Sequence, residues 1–226
     1  MVTHVVGVSK YVLDRHLEER FFSGAERSVI HNSRPPLGNQ ASTPAKPHSP
    51  FRVGFIGRVD ATKGISEFFA SVAAANIPNI EVHIAGRDNE GVVSKLTRRH
   101  PQLTVLHHGF ANACEFYELV DLVVVSSMWN EPFGTVSFEP WEFYKPSIAF
   151  AVGGLPEVYQ AFPELTVPRG DVAALGGLIR RFVVDAAFYA RIAQQCRARR
   201  DDFLPSIQVK KFEDVLLSLE RRRNTL

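Results

Sequence analysis

Ser126-Ser127-Met128-Trp129-Asn130-Glu131-Pro132-Phe133-Gly134-Thr135-Val136-Ser137-Phe138-Glu139 follows the apolar run Leu122-Val123-Val124-Val125. That run is β-branched and apolar on both faces, as a central parallel strand requires, and Pro132 and Gly134 then break the extended pattern. The stretch reads as a buried strand, a tight loop and a helix start, with the loop at the carboxyl end of the strand. In open α/β sheets ligands sit at that end, because free backbone N–H groups and the positive end of the following helix face the crevice. Glu131 and Glu139 set two carboxylates beside those amides.

Outward from this loop the same unit repeats. Residues 52–56 form a strand, and Gly64 opens a helix whose Ile65, Phe68, Phe69, Val72 and Ala73 recur at helical spacing. Further strands fall at 81–85, 103–107, 121–126 and 147–151, separated by a helix near 92–99 and one capped by Asn112, with Glu115 in the capping-box position. Asp171 caps a helix with Val172, Leu175, Ile179 and Phe182 on one face. Strands alternating with helices over short connections imply an α/β fold, a doubly wound, right-handed parallel sheet of Rossmann-like type. Two helical stretches close the chain, at 186–203 and 206–222, the second with Val209, Phe212, Val215, Leu216 and Leu219 on one side.

Toward the amino terminus, residues 3–9 read as a short strand, Ser9 caps a helix reaching about Phe22, and residues 28–31 read as a second strand. A lone strand–helix–strand piece cannot bury both faces of its sheet, so it either packs on the rest of the chain or belongs to another half. Residues 34–50 carry Pro35, Pro36, Pro44, Pro47 and Pro50 with few bulky apolar side chains, which favours an extended, solvated linker. The expected organisation is an amino-terminal piece at 1–33, a linker at 34–50, a main domain at 51–205 and a final helix at 206–226.

The 226 residues are 45% hydrophobic and 22% charged, the balance of a soluble globular protein with room for a sizeable core. A net charge of +2 gives no footprint for nucleic acid, and Arg197, Arg199, Arg200 and the run 221–223 read as solvated helix faces. Cys114 and Cys196 are too few and too far apart for a disulfide framework or a metal cluster, and His107-His108 reads as a packing or solvent pair. No run approaches the ~20 apolar residues of a membrane span. An unexported, cytoplasmic protein is expected, reaching a membrane only through a partner.

The spacing Glu131 to Glu139 resembles the Glu-x7-Glu signature of retaining GT-B glycosyltransferases, the glycosyltransferase group 1 family. Three more stretches match in order: Gly57-Arg58-Val59-Asp60-Ala61-Thr62-Lys63-Gly64 resembles its phosphate-binding loop, Ile84-Ala85-Gly86-Arg87-Asp88 a strand end at the nucleotide, and Val152-Gly153-Gly154-Leu155-Pro156-Glu157 its GGxPE turn. The resemblance implies the carboxy-terminal, donor-binding half of a GT-B enzyme. It implies transfer of a sugar from a nucleoside diphosphate to an acceptor hydroxyl, with retention and with neither metal nor cofactor. The partners implied are the nucleotide-sugar donor and a second chain, or a further segment, supplying the amino-terminal acceptor domain.

A guanidinium chelates paired phosphate oxygens and an ammonium acts as a mobile point charge, so Arg58 and Lys63 suit a diphosphate leaving group. By resemblance both neutralise it, Glu131 binds the donor sugar and Glu139 the ribose. The resemblance also implies that the amides of Phe133, Gly134 and Thr135 bind phosphates or sugar hydroxyls and that Gly57, Gly86, Arg87 and Phe110 border the nucleotide. Arg58, Lys63 and Glu131 are thus the expected catalytic residues. Glu157 is either functional or a helix-end charge. Pro140 and Tyr144 stand where the family has a small residue and a glycine; Pro140 bends or delays the helix carrying Glu139, and Tyr144 is expected in a left-handed conformation. A non-catalytic nucleotide-sugar-binding module is the alternative. An NAD-dependent enzyme ranks behind both, since no Gly-x-Gly-x-x-Gly follows the first strand.

Overall fold

The strongly apolar runs of the sequence become the inner strands of a six-stranded parallel sheet. In this computed structural model residues 2–38 and 46–223 are described. The middle of the expected linker, 39–45, lies outside the described residues. The sheet contains β3 (Phe51–Ile56), β4 (Ile80–Ala85), β5 (Thr104–His107), β6 (Leu122–Val125), β7 (Ser147–Phe150) and β8 (Thr166–Val167), in the order β5-β4-β3-β6-β7-β8. The two-residue β8, paired to β7, is too short to leave a sequence pattern. Every residue of β6 and β7 is buried, which explains why these strands lack alternation.

The chain runs outward through β3, β4 and β5, then returns to place β6 on the other side of β3. The carboxyl ends of β3 and β6 therefore flank the switch point, where a crevice opens in doubly wound sheets. Helices α2 (Ile65–Ala75), α3 (Val92–Arg99), α4 (Ala113–Leu119), α6 (Val172–Val184) and α7 (Ala186–Arg200) cover the two faces, and a short α5 (Leu155–Val158) follows the Gly153-Gly154 turn. Ile65, Phe68, Phe69 and Val72 of α2 are all buried at 1% exposure or less, so its apolar stripe is fully spent on the core.

Two expectations need correction here. No α-helix follows the loop at 126–134; the chain makes two 3-10 turns, Thr135–Ser137 and Glu139–Phe143. Pro140 accounts for this, because its missing N–H and its ring forbid a regular i to i−4 ladder, whereas the amides of Trp141 and Tyr144 reach carbonyls three residues back. Tyr144 ends the second turn at φ 55°, ψ 26°, the left-handed conformation expected of it. The packing is locked by Ser147, whose hydroxyl donates to the Ser137 carbonyl, accepts from Trp141 Nε1 at 2.8 Å and lies 2.8 Å from the Tyr159 hydroxyl.

The second correction concerns Arg200, read as a solvated cation. It is buried, 1% exposed, and pairs with the equally buried Glu142 at 3.3 Å. Arg199 is half exposed and pairs with Asp202, whereas Arg197, paired with Asp201, is largely covered at 17% exposure.

The amino-terminal piece folds as β1 (His4–Gly7), α1 (Lys10–Glu18) and β2 (Glu26–Val29), its two strands parallel. Helix α1 stops four residues early, because Arg20 and Phe22 both take positive φ, and β2 begins two residues before its expected start. The piece packs on the larger sheet unit. Glu157 accepts the amides of Lys10 and Tyr11 at 2.8 and 2.9 Å, capping α1, and His31 stacks on Phe133 with ring centroids 4.6 Å apart. Glu157 is thus a helix-end charge, capping a helix distant in sequence. The last helix, α8 (Pro205–Arg223), receives the His31 amide on its Gln208 side chain and leaves Val209, Phe212, Leu216 and Leu217 exposed.

On the β4 and β5 edge, buried His83 stacks on His108 and meets its Nε2 at 3.0 Å, with Glu81 at 3.3 Å and Arg52 beside Glu81. Burial pushes the His83 imidazole below its ordinary value, opposed by Glu81 and assisted by His108 and Arg52. Above the unfolded histidine pKa of ~6.5 both states are neutral; below it the unfolded chain binds protons that the folded chain refuses, so stability falls with pH. Urea unfolding at pH 7.5 and 5.5 is expected to show this loss, and His83→Phe to flatten it; an unchanged pH dependence in the variant would remove His83 from the account.

Candidate functional site

Two adjoining cavities open at the switch point. The larger, about 650 Å³, is lined by the β3 end (Ile56, Gly57, Arg58), the β4 end (Ala85, Gly86, Arg87), residues 110–113, Tyr117, Thr135, Val136, Glu139 and Arg34. The smaller, about 140 Å³, shares Ile56, Gly57 and Val136 with it and adds Lys63, Ser126, Ser127 and Glu131. The combined volume suits a ligand of nucleotide size.

The cationic loop is built from a capped turn. Asp60 accepts the Lys63 amide at 3.0 Å and the Thr62 hydroxyl, and Gly64 then turns at φ 69°. A Cβ on Gly64 would lie 1.8 Å from the Ser126 carbonyl, so glycine lets this loop press directly against the β6 end. The Thr62 carbonyl accepts the amides of Met128 and Trp129, which ties the loop to the Glu131 segment. Arg58 projects outward, its side chain 70% exposed and 3.2 Å from Asp60. Lys63 turns inward and donates to Glu131, which also accepts from the Ser127 hydroxyl at 2.7 Å.

Glu131 is buried, and its backbone is gripped from the other side. The Gly154 amide donates to the Glu131 carbonyl at 2.7 Å, and a Cβ on Gly153, at φ 56°, would come within 2.1 Å of that carbonyl oxygen. The GGxPE turn therefore fixes the height at which Glu131 enters the smaller cavity.

Glu139 lies on the wall of the larger cavity, 4% exposed. One oxygen accepts from Arg34 Nε at 2.7 Å, the other from the Tyr117 hydroxyl at 2.7 Å. Burial, with the Glu139 carboxylate next, pushes the Tyr117 phenol far above its ordinary value, so it remains a donor.

Across the cavity, Phe110 is 82% exposed and Arg87 lies 5.6 Å from its ring centre, a flat cationic and aromatic ledge. The Phe133 side chain, by contrast, is fully buried against His31 and Phe203 and can reach a ligand only through its backbone. Among the described residues the amides of Phe133, Gly134 and Thr135 donate to no protein acceptor. Gly57, Arg58, Gly86, Arg87, Phe110, Thr135 and Glu139 thus line the larger cavity, Lys63 and Glu131 the smaller, and Gly134 stands behind them at a left-handed turn.

The sequence reading missed Arg34, Tyr117 and Ser127. Ser127 lies in the same irregular loop as Glu131, where a spacing of four carries no helical signal, and only the folded path brings the two together.

Comparison with known proteins decides the family. The model for glycosyl transferases group 1 matches residues 39–199, well over half of the chain. The chain belongs to that family. A Klebsiella pneumoniae relative, described as an uncharacterized 42.6 kDa protein in the cps region, is 28% identical over 160 residues, covering 71% of this chain and 41% of that one. Sucrose-phosphate synthase from Thermosynechococcus elongatus superposes with a TM-score of 0.78 at 24% identity, over 96% of this chain and 58% of that one. Anabaena HepE, solved with UDP and glucose, gives 0.75 at 21% identity over 96% and 63%. These structural likenesses establish the GT-B type of α/β fold. The chain spans about two fifths to under two thirds of the length of these relatives.

Removing the Lys63 ammonium leaves Glu131 buried with only Ser127. Lys63→Met is expected to cost about 1–3 kcal/mol, discounted for the partial exposure of Lys63. In a double-mutant cycle by urea unfolding, Lys63→Met/Glu131→Gln should recover much of this; a coupling energy near zero would deny the pair a structural role.

Proposed function

We propose that this chain is the donor-binding half of a retaining glycosyltransferase that moves a sugar from a nucleoside diphosphate to an acceptor hydroxyl. The observation that carries the reading is the arrangement of Glu131 and Glu139 on adjoining cavities, with Arg58 and Lys63 on the loop between them. A carboxylate with a free lone pair on each oxygen suits a vicinal diol, whereas paired cations and unpartnered amides suit a diphosphate. The sugar would then lie over the smaller cavity beside Glu131 and the GGxPE turn. The UDP-bound state of HepE agrees with this class of ligand.

In the proposed step the bond from the anomeric carbon to the diphosphate oxygen breaks and a bond to the acceptor oxygen forms. The acceptor proton passes to the departing oxygen. Arg58, Lys63 and the amides at 133–135 would stabilise the negative charge that grows on the diphosphate, the kind of preorganised electrostatics that most lowers a barrier. No metal or cofactor takes part in this scheme. A positioned acceptor is a separate requirement, and residues 2–33 offer only β1, α1 and β2 toward it. Turnover would therefore need an acceptor-side domain beyond the described elements, on a preceding segment or a second chain. A binding module without turnover is the second reading, favoured by the engagement of Glu139 with Arg34.

Thermal unfolding with UDP, GDP, ADP and their sugar conjugates tests the donor site. A ligand at ~100 times its Kd adds ~2.7 kcal/mol, or about 5–10 °C in a chain of this size. One nucleotide series is expected to give that shift, with Arg58→Ala and Lys63→Ala abolishing most of it. No shift with any of them would defeat the reading.

A further inference from the structure

The stretch expected to be a solvated linker begins as a tightly held strap. The Arg34 amide donates to the Phe203 carbonyl at 3.1 Å, and the carbonyls of Arg34 and Pro35 accept from the buried Arg200 at 3.0 and 3.2 Å. Glu142 accepts the Leu37 amide at 2.9 Å, and the Leu37 carbonyl accepts from the Cys114 thiol. Between these ties lie Pro35 and Pro36, which have no N–H to satisfy and a fixed φ, so the backbone crosses the carboxylates as a stiff span. Arg34 is therefore carried to the cavity wall by a preorganised backbone.

Its side chain is half exposed, lines the larger cavity and donates through Nε to buried Glu139. Among the described residues, both Nη groups lack a protein acceptor. Glu139 has about four lone-pair positions, of which Arg34 and Tyr117 fill one on each oxygen. One remains on each, spaced for two neighbouring hydroxyls. Without Arg34 the carboxylate would be buried with a neutral phenol as its sole partner, and a buried charge without a counter-charge relaxes or takes up a proton.

We propose that Arg34, supplied by the strap and not by the α/β unit, is a nucleoside-positioning residue that holds the Glu139 carboxylate oriented toward the ribose diol. This rests on the donor-site reading above. It adds that the site is completed by a residue outside the sheet unit and its four sequence motifs. The guanidinium acts through Glu139, from the wall of the same cavity. Diol recognition then depends on Arg34 although no sheet element carries it.

The test is isothermal titration of the full chain with UDP, GDP, ADP and their 2′-deoxy counterparts, on wild type, Arg34→Ala, Arg34→Lys and Glu139→Gln. For the nucleotide that binds, Arg34→Ala is expected to lose about ten- to a hundredfold in affinity, the size of one charge-assisted hydrogen bond. The loss should fall mainly on the ribonucleotide, so that the ratio of ribo to deoxy affinity drops toward one, a change that loosening of the strap alone would not produce. Arg34→Lys should keep part of the discrimination, and Arg34→Ala/Glu139→Gln should be no worse than Glu139→Gln. An unchanged ratio in Arg34→Ala overturns the inference while leaving the donor site standing, and tighter binding would make Arg34 a competitor for Glu139 and overturn it too. A wild type that binds none of the six defeats the donor-site reading and this one with it. The backbone ties to Phe203 and Arg200 do not use the Arg34 side chain, and a cooperative unfolding transition kept in both variants, its midpoint lowered more in Arg34→Ala than in Arg34→Lys, checks that the fold and the strap are retained.

Discussion

Three carboxylates between positions 131 and 142 are almost wholly removed from solvent: Glu131, Glu139 and Glu142 are 6%, 4% and 1% exposed. Each is held by a cation from a different part of the chain, Lys63 from the loop after β3, Arg34 from the strap and Arg200 from the end of α7. Burying an ion costs several kcal/mol, and only a well-placed partner offsets it. The segment between β6 and β7 can therefore take its observed path only if the loop, the strap and α7 are all in place. That mutual requirement ties together elements up to 166 residues apart in sequence.

The same requirement explains why the segment is irregular. A continuous α-helix from Thr135 would leave Pro140 facing a carbonyl it cannot serve, and the two 3-10 turns resolve this. The turns leave Glu139 pointing at the cavity wall while Glu142 points at Arg200. Trp141, fully buried, fills the space between, with Ser147 satisfying its N–H. Arg200 retains two buried nitrogens, Nε and Nη1, without a protein partner among the described residues, and its guanidinium lies 5.5 Å from the Phe138 ring centre. The arginine thus accepts incomplete hydrogen bonding to hold both the strap and Glu142.

Elements whose cause is local could be read from the sequence. The apolar runs of β3, β4, β6 and β7, the stripe on α2, and the Asn112 and Asp171 caps each depend on residues within a few positions of one another, and the structure returns them with boundaries shifted by a residue or two. The candidate site was legible to the same extent, since its loops sit at strand ends. What could not be read depends on distant partners. Arg34 lay in a proline-rich run whose composition favours solvation, and only Glu139, Phe203 and Arg200 turn that run into a strap. Arg200 follows three charged or small residues on a helix that looks solvated, and nothing local distinguishes it from Arg197 or Arg199. Glu157 is a similar case, its partners being amides at positions 10 and 11.

These distant ties also set how the parts move together. Glu157 and the Phe133–His31 stack hold the β1–α1–β2 piece, while Arg200 and Glu142 hold the strap that leads from it, and each set has one member, Phe133 or Glu142, on the segment that carries Glu131 and Glu139. Displacing the amino-terminal piece must therefore strain the cavity walls or break a pair that buries charge. The reverse also holds: a ligand that engages Glu131 and Glu139 adds free energy to the one arrangement in which those pairs are intact. By linkage it must then resist displacement of the strap to the same degree. The strap is thus part of the site's energetics although its sequence carries no motif, and the irregular turns after β6 are where that coupling is made.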